Sequence, residues 1–164
     1  MRGEFFINGR REVFDFDSKK TLLRVLRENG YTEVRNGCET GECGACVVLL
    51  EGIPVNSCQV LAASVVGKKI TTIKGLNDGK ENGELHPVER AFVDAGAVQC
   101  GFCTPGKVLV SYALLKKNPD PTREEILTAL DGNLCRCTGY THTVESVKLA
   151  ARYLKGYSEE GRDE

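Results

Sequence analysis

Tryptophan is absent from the 164 residues, methionine occurs once and histidine twice. The two histidines, His86 and His142, stand in no Cys-x-His arrangement. That excludes a Rieske centre, in which two histidines replace two cysteines on one iron. Net charge is also nearly absent, with 22 basic residues against 23 acidic ones. A general electrostatic role on nucleic acid or on an anionic membrane surface therefore has no support. No apolar run approaches the ~18 residues of a transmembrane helix. Met1-Arg2-Gly3-Glu4 leads into a strand pattern without a signal peptide, so a cytoplasmic chain is expected. No internal repeat is present.

Cysteine and glycine are plentiful instead, at 8 and 18 residues. The densest stretch is Cys38-Glu39-Thr40-Gly41-Glu42-Cys43-Gly44-Ala45-Cys46, and Cys58 follows after a short hairpin pattern. The spacing C-x4-C-x2-C-x11-C opens with the plant-type ferredoxin intervals, in which four thiolates hold a [2Fe–2S] cluster. Three thiolates must converge on one small anionic centre, so the backbone has to curl. Gly41 and Gly44 allow the positive φ angles and close approach that such a curl needs. A disulfide framework is a poor fit to a chain without a secretory leader. A zinc site built from the Cys43/Cys46 and Cys100/Cys103 pairs would leave Cys38, Cys58, Cys135 and Cys137 without a role.

Around this loop the pattern is α+β. Phe5–Ile7 and Val13–Phe16 read as strands joined by Asn8-Gly9, a two-residue hairpin signal. Leu22–Arg27 has helical spacing, with Ser18 or Thr21 as N-cap and Gly30 as stop. Val47–Leu50, Ile53–Asn56 and Ile70–Ile73 read as further strands, with a short helix around Gln59–Val65. The glycine- and charge-rich stretch Gly75–Leu85 reads as a linker. Beyond it the period becomes helical. A helix starts at His86-Pro87, a second spans Pro105–Lys117, a third follows the Thr122-x-x-Glu125 capping box through Leu130, and a fourth covers Thr143–Leu154. Four helices suggest a small bundle. The division expected is residues 1–75, a linker over 76–85, a helical domain over 86–157, and a solvated acidic tail over 158–164.

The helical half carries a second set, Cys100, Cys103, Cys135 and Cys137, spaced C-x2-C-x31-C-x-C. Both pairs fall just outside expected helices, so two inter-helix loops at one end of the bundle could share a metal centre. A C-x-C pair cannot point one way on a regular helix or strand. Asn133 and Gly139 suit the irregular turn that it requires. This spacing by itself admits zinc as well as [2Fe–2S].

Taken in order, GCETGECGAC, QCGFCTPG and GNLCRCTGY resemble the small iron–sulfur subunit of the xanthine oxidase family of molybdenum hydroxylases, and the likeness runs from Phe5 to about Leu154. The resemblance implies a plant-ferredoxin-like β-grasp domain followed by an all-α four-helix domain. It implies that Cys38, Cys43, Cys46 and Cys58 hold a distal cluster nearer a flavin. Cys100, Cys103, Cys135 and Cys137 would hold a proximal cluster nearer a molybdopterin, and Gln99 would hydrogen-bond that pterin. The implied partners are a molybdopterin-binding large subunit and an FAD-binding medium subunit, in a hetero-oligomer such as a dimer of heterotrimers. The implied role is an electron relay, with substrate chemistry on the large subunit. The wording of the motifs leans toward a xanthine or purine dehydrogenase, while nicotinate, aldehyde, carbon monoxide and aryl-CoA enzymes share the same small subunit. An independent two-cluster ferredoxin is the competing reading, and it leaves the helical half without a purpose. Lys107 stands where relatives usually carry an apolar residue, so an exposed helix start is expected there. His142 is expected at the surface or an interface, with a contact to the second cluster as the alternative. His86 is expected to be structural.

Overall fold

Two antiparallel hairpins supply four of the five strands. The computed structural model describes residues 1–77 and 83–160. In it β1 (Arg2–Ile7) returns as β2 (Arg10–Asp15) through Asn8 and Gly9, at φ 51° and 78°. These are the left-handed positions of a type I′ turn, whose twist matches that of the strands. Glu51 and Gly52, at φ 50° and 84°, close β3 (Val47–Leu50) onto β4 (Ile53–Asn56) in the same way. Between the hairpins lies β5 (Lys69–Thr71), parallel to β1 and antiparallel to β3, in the order β2-β1-β5-β3-β4. β5 is shorter than its sequence pattern. Asn8 Oδ1 takes the Thr72 amide at 2.8 Å, and the chain then tightens into a 3-10 segment over Ile73–Asn77. The helix expected around Gln59–Val65 is likewise two 3-10 segments, Ser57–Gln59 and Ala62–Val65. An isolated bridge between Leu61 and Thr21 separates them.

Helix α1 (Leu22–Glu28) is N-capped by Thr21 and buries Leu22, Leu23, Val25 and Leu26 in one core with Phe5, Ile7, Val48 and Ile70. The second core is formed by α2 (Pro87–Asp94), α3 (Thr104–Lys117), α4 (Arg123–Leu130) and α5 (Thr141–Glu160). Strand β3 serves both cores. Val48 belongs to the first, whereas Val47 and Leu49 belong to the second, as alternation along a strand dictates. This is why Val47–Leu50 is an unbroken apolar run. The architecture is the expected α+β one, a ferredoxin-like β-grasp unit followed by a four-helix unit.

Capping sets the helix ends that matter for function. His86 accepts from the Val88 amide at 3.2 Å while Glu89 reaches back to the His86 amide, a reciprocal cap. The structural role expected of His86 is thus confirmed. Gly96, at φ 67°, stops α2 in a Schellman motif, with Ala97 N–H donating to Phe92 O at 3.0 Å. That stop delivers Gln99 and Cys100 beside the start of α3. Thr122 and Glu125 form the expected capping box on α4. Helix α5 begins before Thr143 and continues through Glu160. Residues 78–82 of the expected linker and 161–164 of the expected tail lie outside the described residues.

Lys107 corrects the sequence reading. It is buried, at 1% exposure, because α3 has no free side at its start. β3 packs on one side of α3, with α2, α4 and α5 on the others, and Gly106 through Ser111 are buried without a break.

Candidate metal centres

The first cysteine loop is held open by its own side chains. Glu39 adopts a left-handed φ of 58°, and its carboxylate accepts two hydrogen bonds from Arg24 Nη2, at 2.8 and 2.7 Å, and one from Asn36. Asn56 Nδ2 donates to Gly41 O at 2.8 Å, and Ser57 Oγ donates to Cys46 O at 2.6 Å. The stretch that carries Cys58 is thereby tied to the loop that carries the other three cysteines. The sulfurs receive N–H donors directly, from Thr40 to Cys38 Sγ and from Gln59 Nε2 to Cys58 Sγ, both at 3.4 Å. A Cβ at Gly37 would lie 2.7 Å from Cys43 Sγ. The loop therefore needs glycine at that point to keep the sulfur where it is.

The second set is more open. Cys100 and Cys137 are exposed, and Cys103 and Cys135 are half-buried. The four line a cavity of about 420 Å³ together with Phe102, Leu134 and Tyr140. Cys103 is the residue from which α3 begins, so the positive end of a 14-residue helix faces this cavity. Thr138 Oγ1 lies 3.6 Å from Cys135 Sγ, and the Cys135 amide donates to the Tyr140 hydroxyl at 3.4 Å. Gln99 is exposed next to Cys100. His142 is also exposed, 3.1 Å from Ala95 O, which is the surface position expected of it.

The thiols split into groups of opposite acidity. The Cys38 thiol is lowered to about 6, chiefly by its hydrogen bonds with Thr40. For Cys135 burial acts upward, yet Thr138 and the backbone N–H groups of Cys137 and Thr138 outweigh it and bring the thiol down to about 6. Burial pushes Cys46 and Cys103 up to about 11, and the Lys107 ammonium opposes the rise at Cys103. Cys100 falls because the Phe102 amide donates to it, whereas Cys137 rises by donating its proton to Cys100.

All eight cysteines are free thiols. Cys38 interacts with Cys43 and Cys46 with Cys58, while Cys100, Cys103, Cys135 and Cys137 interact as one group. Four thiols at each site suit a centre of two irons, each taking two thiolates. Donor type, donor number and the N–H groups aimed at sulfur therefore all fit a [2Fe–2S] cluster in each set.

The two sites meet at one junction. Asn133 is buried and its Nδ2 donates to Gly44 O at 3.1 Å. A Cβ on Gly44 would overlap Gly132 O and Asn133 Nδ2, and one on Gly106 would overlap Gly44 O. Close backbone packing thus locks the first loop against the start of α3 and the turn before Cys135. The Asn133 contact and the burial of Lys107 carry no local sequence signal; both arise from the docking of the two halves.

Comparison with known proteins agrees with this arrangement. Residues 5–69 match the family model of the 2Fe-2S iron-sulfur cluster binding domain, and residues 72–148 match that of the [2Fe-2S] binding domain. The chain is 47% identical over 145 residues to the nicotinate dehydrogenase small FeS subunit of Eubacterium barkeri, covering 88% of this chain and 90% of that one. It is 48% identical over 128 residues to the xanthine dehydrogenase iron-sulfur-binding subunit of Escherichia coli O157:H7, covering 77% and 79%. Among solved structures, a chain of quinoline 2-oxidoreductase from Pseudomonas putida 86 superposes with a TM-score of 0.87 at 37% identity, covering 95% of this chain and 97% of that one.

Proposed function

The chain belongs to the iron–sulfur small subunits of the xanthine oxidase family of molybdenum hydroxylases, and from that premise we propose that it is the electron relay of a multi-subunit oxidoreductase. Electrons pass through it from a molybdopterin-binding large subunit to an FAD-binding medium subunit. In this reading Cys100, Cys103, Cys135 and Cys137 hold the cluster nearer the molybdopterin, with Gln99 reaching the pterin. Cys38, Cys43, Cys46 and Cys58 hold the cluster nearer the flavin. Each [2Fe–2S] centre, when bound, accepts and releases one electron at a time. The chain's own residues fix the order of the two sites, donate N–H groups to the sulfurs and hold the sites together across a single packed junction. We divide the chain for this purpose at residue 75, with the linker over 76–85.

The observation that carries the proposal is that junction, because it joins two four-cysteine sites by direct backbone packing of Gly44 against Gly106 and Gly132. A second observation favours a subunit over a free-standing ferredoxin. Phe102, Leu134 and Tyr140 are 45%, 54% and 47% exposed beside Cys100 and Cys137. Large apolar side chains gathered at a redox site mark a surface that a partner covers. The relatives named for nicotinate, xanthine and quinoline favour a nitrogen heterocycle as the holoenzyme's substrate, xanthine or purine included, with an aldehyde as the alternative that other relatives' names support. Cysteines held as cluster ligands rather than in disulfides also suit assembly in a reducing, cytoplasmic compartment.

Iron and acid-labile sulfide analysis with EPR of the dithionite-reduced protein tests this reading. About four irons, about four sulfides and two distinct signals per chain are expected for two [2Fe–2S] centres. Cys58→Ser should erase one signal and Cys137→Ser the other, leaving about two irons in each case. A colourless protein holding zinc would overturn the proposal.

A further inference from the structure

Among the described residues, Lys107 is the one fully buried side chain that carries a formal charge. Its Nζ donates to Thr143 Oγ1 at 2.9 Å and lies 5.0 Å from the centroid of the Tyr140 ring. The Thr143 hydroxyl donates its own proton to Gly139 O at 3.3 Å, so it offers Nζ a lone pair. A lone pair on one side and an aromatic face on the other both interact favourably with a cation. Neither neutralises it. Among the described residues no carboxylate lies within ion-pair distance of Nζ.

A buried ammonium with no anion is strongly disfavoured. The second cysteine set stands one turn of α3 away at Cys103, and Tyr140, whose ring faces Nζ, lines the same cavity as all four of its cysteines. At the first site the comparable cation, Arg24, is exposed and already engaged by the Glu39 carboxylate. The two sites therefore differ in electrostatic design.

We propose that Lys107 is the resident countercharge of the second four-cysteine site and holds the reduction potential of the centre there above the value its thiolates alone would give. The inference rests on reading Cys100, Cys103, Cys135 and Cys137 as a [2Fe–2S] site. Reduction adds one electron to that centre, from dithionite in the test below, with no bond broken and no proton moved at Lys107. The added negative charge makes the attraction to a fixed ammonium stronger in the reduced state, so the buried cation favours electron uptake.

The test is an EPR-monitored redox titration of the full-length chain, with the subunits that co-purify, comparing wild type with Lys107→Met, Lys107→Gln and Lys107→Arg. The signal lost in Cys137→Ser marks the second centre. At a fixed potential the reduced-to-oxidised ratio of that centre should fall about tenfold in the neutral variants, about 59 mV for one electron. The first centre should hold its potential, and Lys107→Arg should lie near wild type. Loss of the second signal in both neutral variants, restored by Lys107→Arg, would also support the countercharge. An unchanged ratio in both neutral variants overturns it, as does loss of the signal in all three. A wild-type chain with a single signal would instead remove the cluster assignment beneath the inference.

Discussion

The backbone N–H of Leu134 donates to the carbonyl oxygen of Cys43 at 3.0 Å. Cys43 belongs to the first cysteine set and Leu134 immediately precedes Cys135 of the second. One hydrogen bond thus connects the covalent frames of the two sites. It survives only because Asn133 caps the neighbouring Gly44 carbonyl and because Gly44 and Gly106 present no side chain to the junction. Rigidity here does more than stabilise the fold, since it fixes the separation of the two cysteine sets, over which the proposed relay would act.

Gly44→Ala should therefore damage the molecule more than the same change at Gly52. Both glycines sit at left-handed φ, 69° and 84°, so each substitution carries a backbone strain of about 1–3 kcal/mol. Around Gly52 a new Cβ meets nothing within 4 Å. At Gly44 it drives into Gly132 and Asn133. We expect Gly52→Ala to lower Tm by several degrees with iron content intact. Gly44→Ala should lower Tm further and lose iron. Equal Tm losses with full iron in both variants would mean that the junction yields readily.

Much of this fold was legible in the residues. Asn8-Gly9 specified a hairpin, Thr122 and Glu125 a helix start, and the cysteine spacings two sets of four thiols. Each of these signals is local, being set by φ preference or by side-chain reach over a few residues. The misreadings were tertiary. Strand β5 stops early because Asn8, more than sixty positions away, captures the Thr72 amide. Lys107 was expected at an exposed helix start because a charged residue stands where relatives usually carry an apolar one. In the folded chain α3 is enclosed by the sheet and three helices, so even its charged residue is interior. Residue type alone does not carry that information.

Thiol acidity yields a pH prediction for the iron-free chain. A thiolate reacts and a thiol does not. With Cys38 and Cys135 lowered to about 6, their thiolates dominate at pH 7. Their alkylation by iodoacetamide should be flat above about pH 7 and fall about tenfold per unit below pH 6. Cys46 and Cys103, raised to about 11, should label slowly at pH 7 and faster as pH rises toward that value. Mass mapping of timed samples reads the order directly. Uniform labelling of all eight positions would show that the loops lose their hydrogen bonds without iron.

The exposed face beside the second site offers a prediction on assembly. Phe102 and Leu134 stand at the rim of the cavity lined by Cys100, Cys103, Cys135 and Cys137. A carboxylate at either position leaves both cores untouched, so the isolated chain should keep its iron, its EPR signals and its stability to within about 0.5 kcal/mol. In a covered interface the same carboxylate would be buried without a partner. A central contact of that kind is worth about 2 kcal/mol or more, so Phe102→Asp and Leu134→Asp should weaken retention of the large subunit by roughly thirtyfold. Ile53, 66% exposed at the start of the edge strand β4, is the control. Ile53→Asp should leave large-subunit retention unchanged, because Ile53 lies on the β3–β4 hairpin and lines no part of the cavity beside the second cysteine set. Pull-down of the large subunit with each tagged variant decides the matter. If all three retain it equally, the face beside Cys100 and Cys137 is not where the partner docks. If all three lose it equally, apolar exposure in general is being read rather than a specific surface.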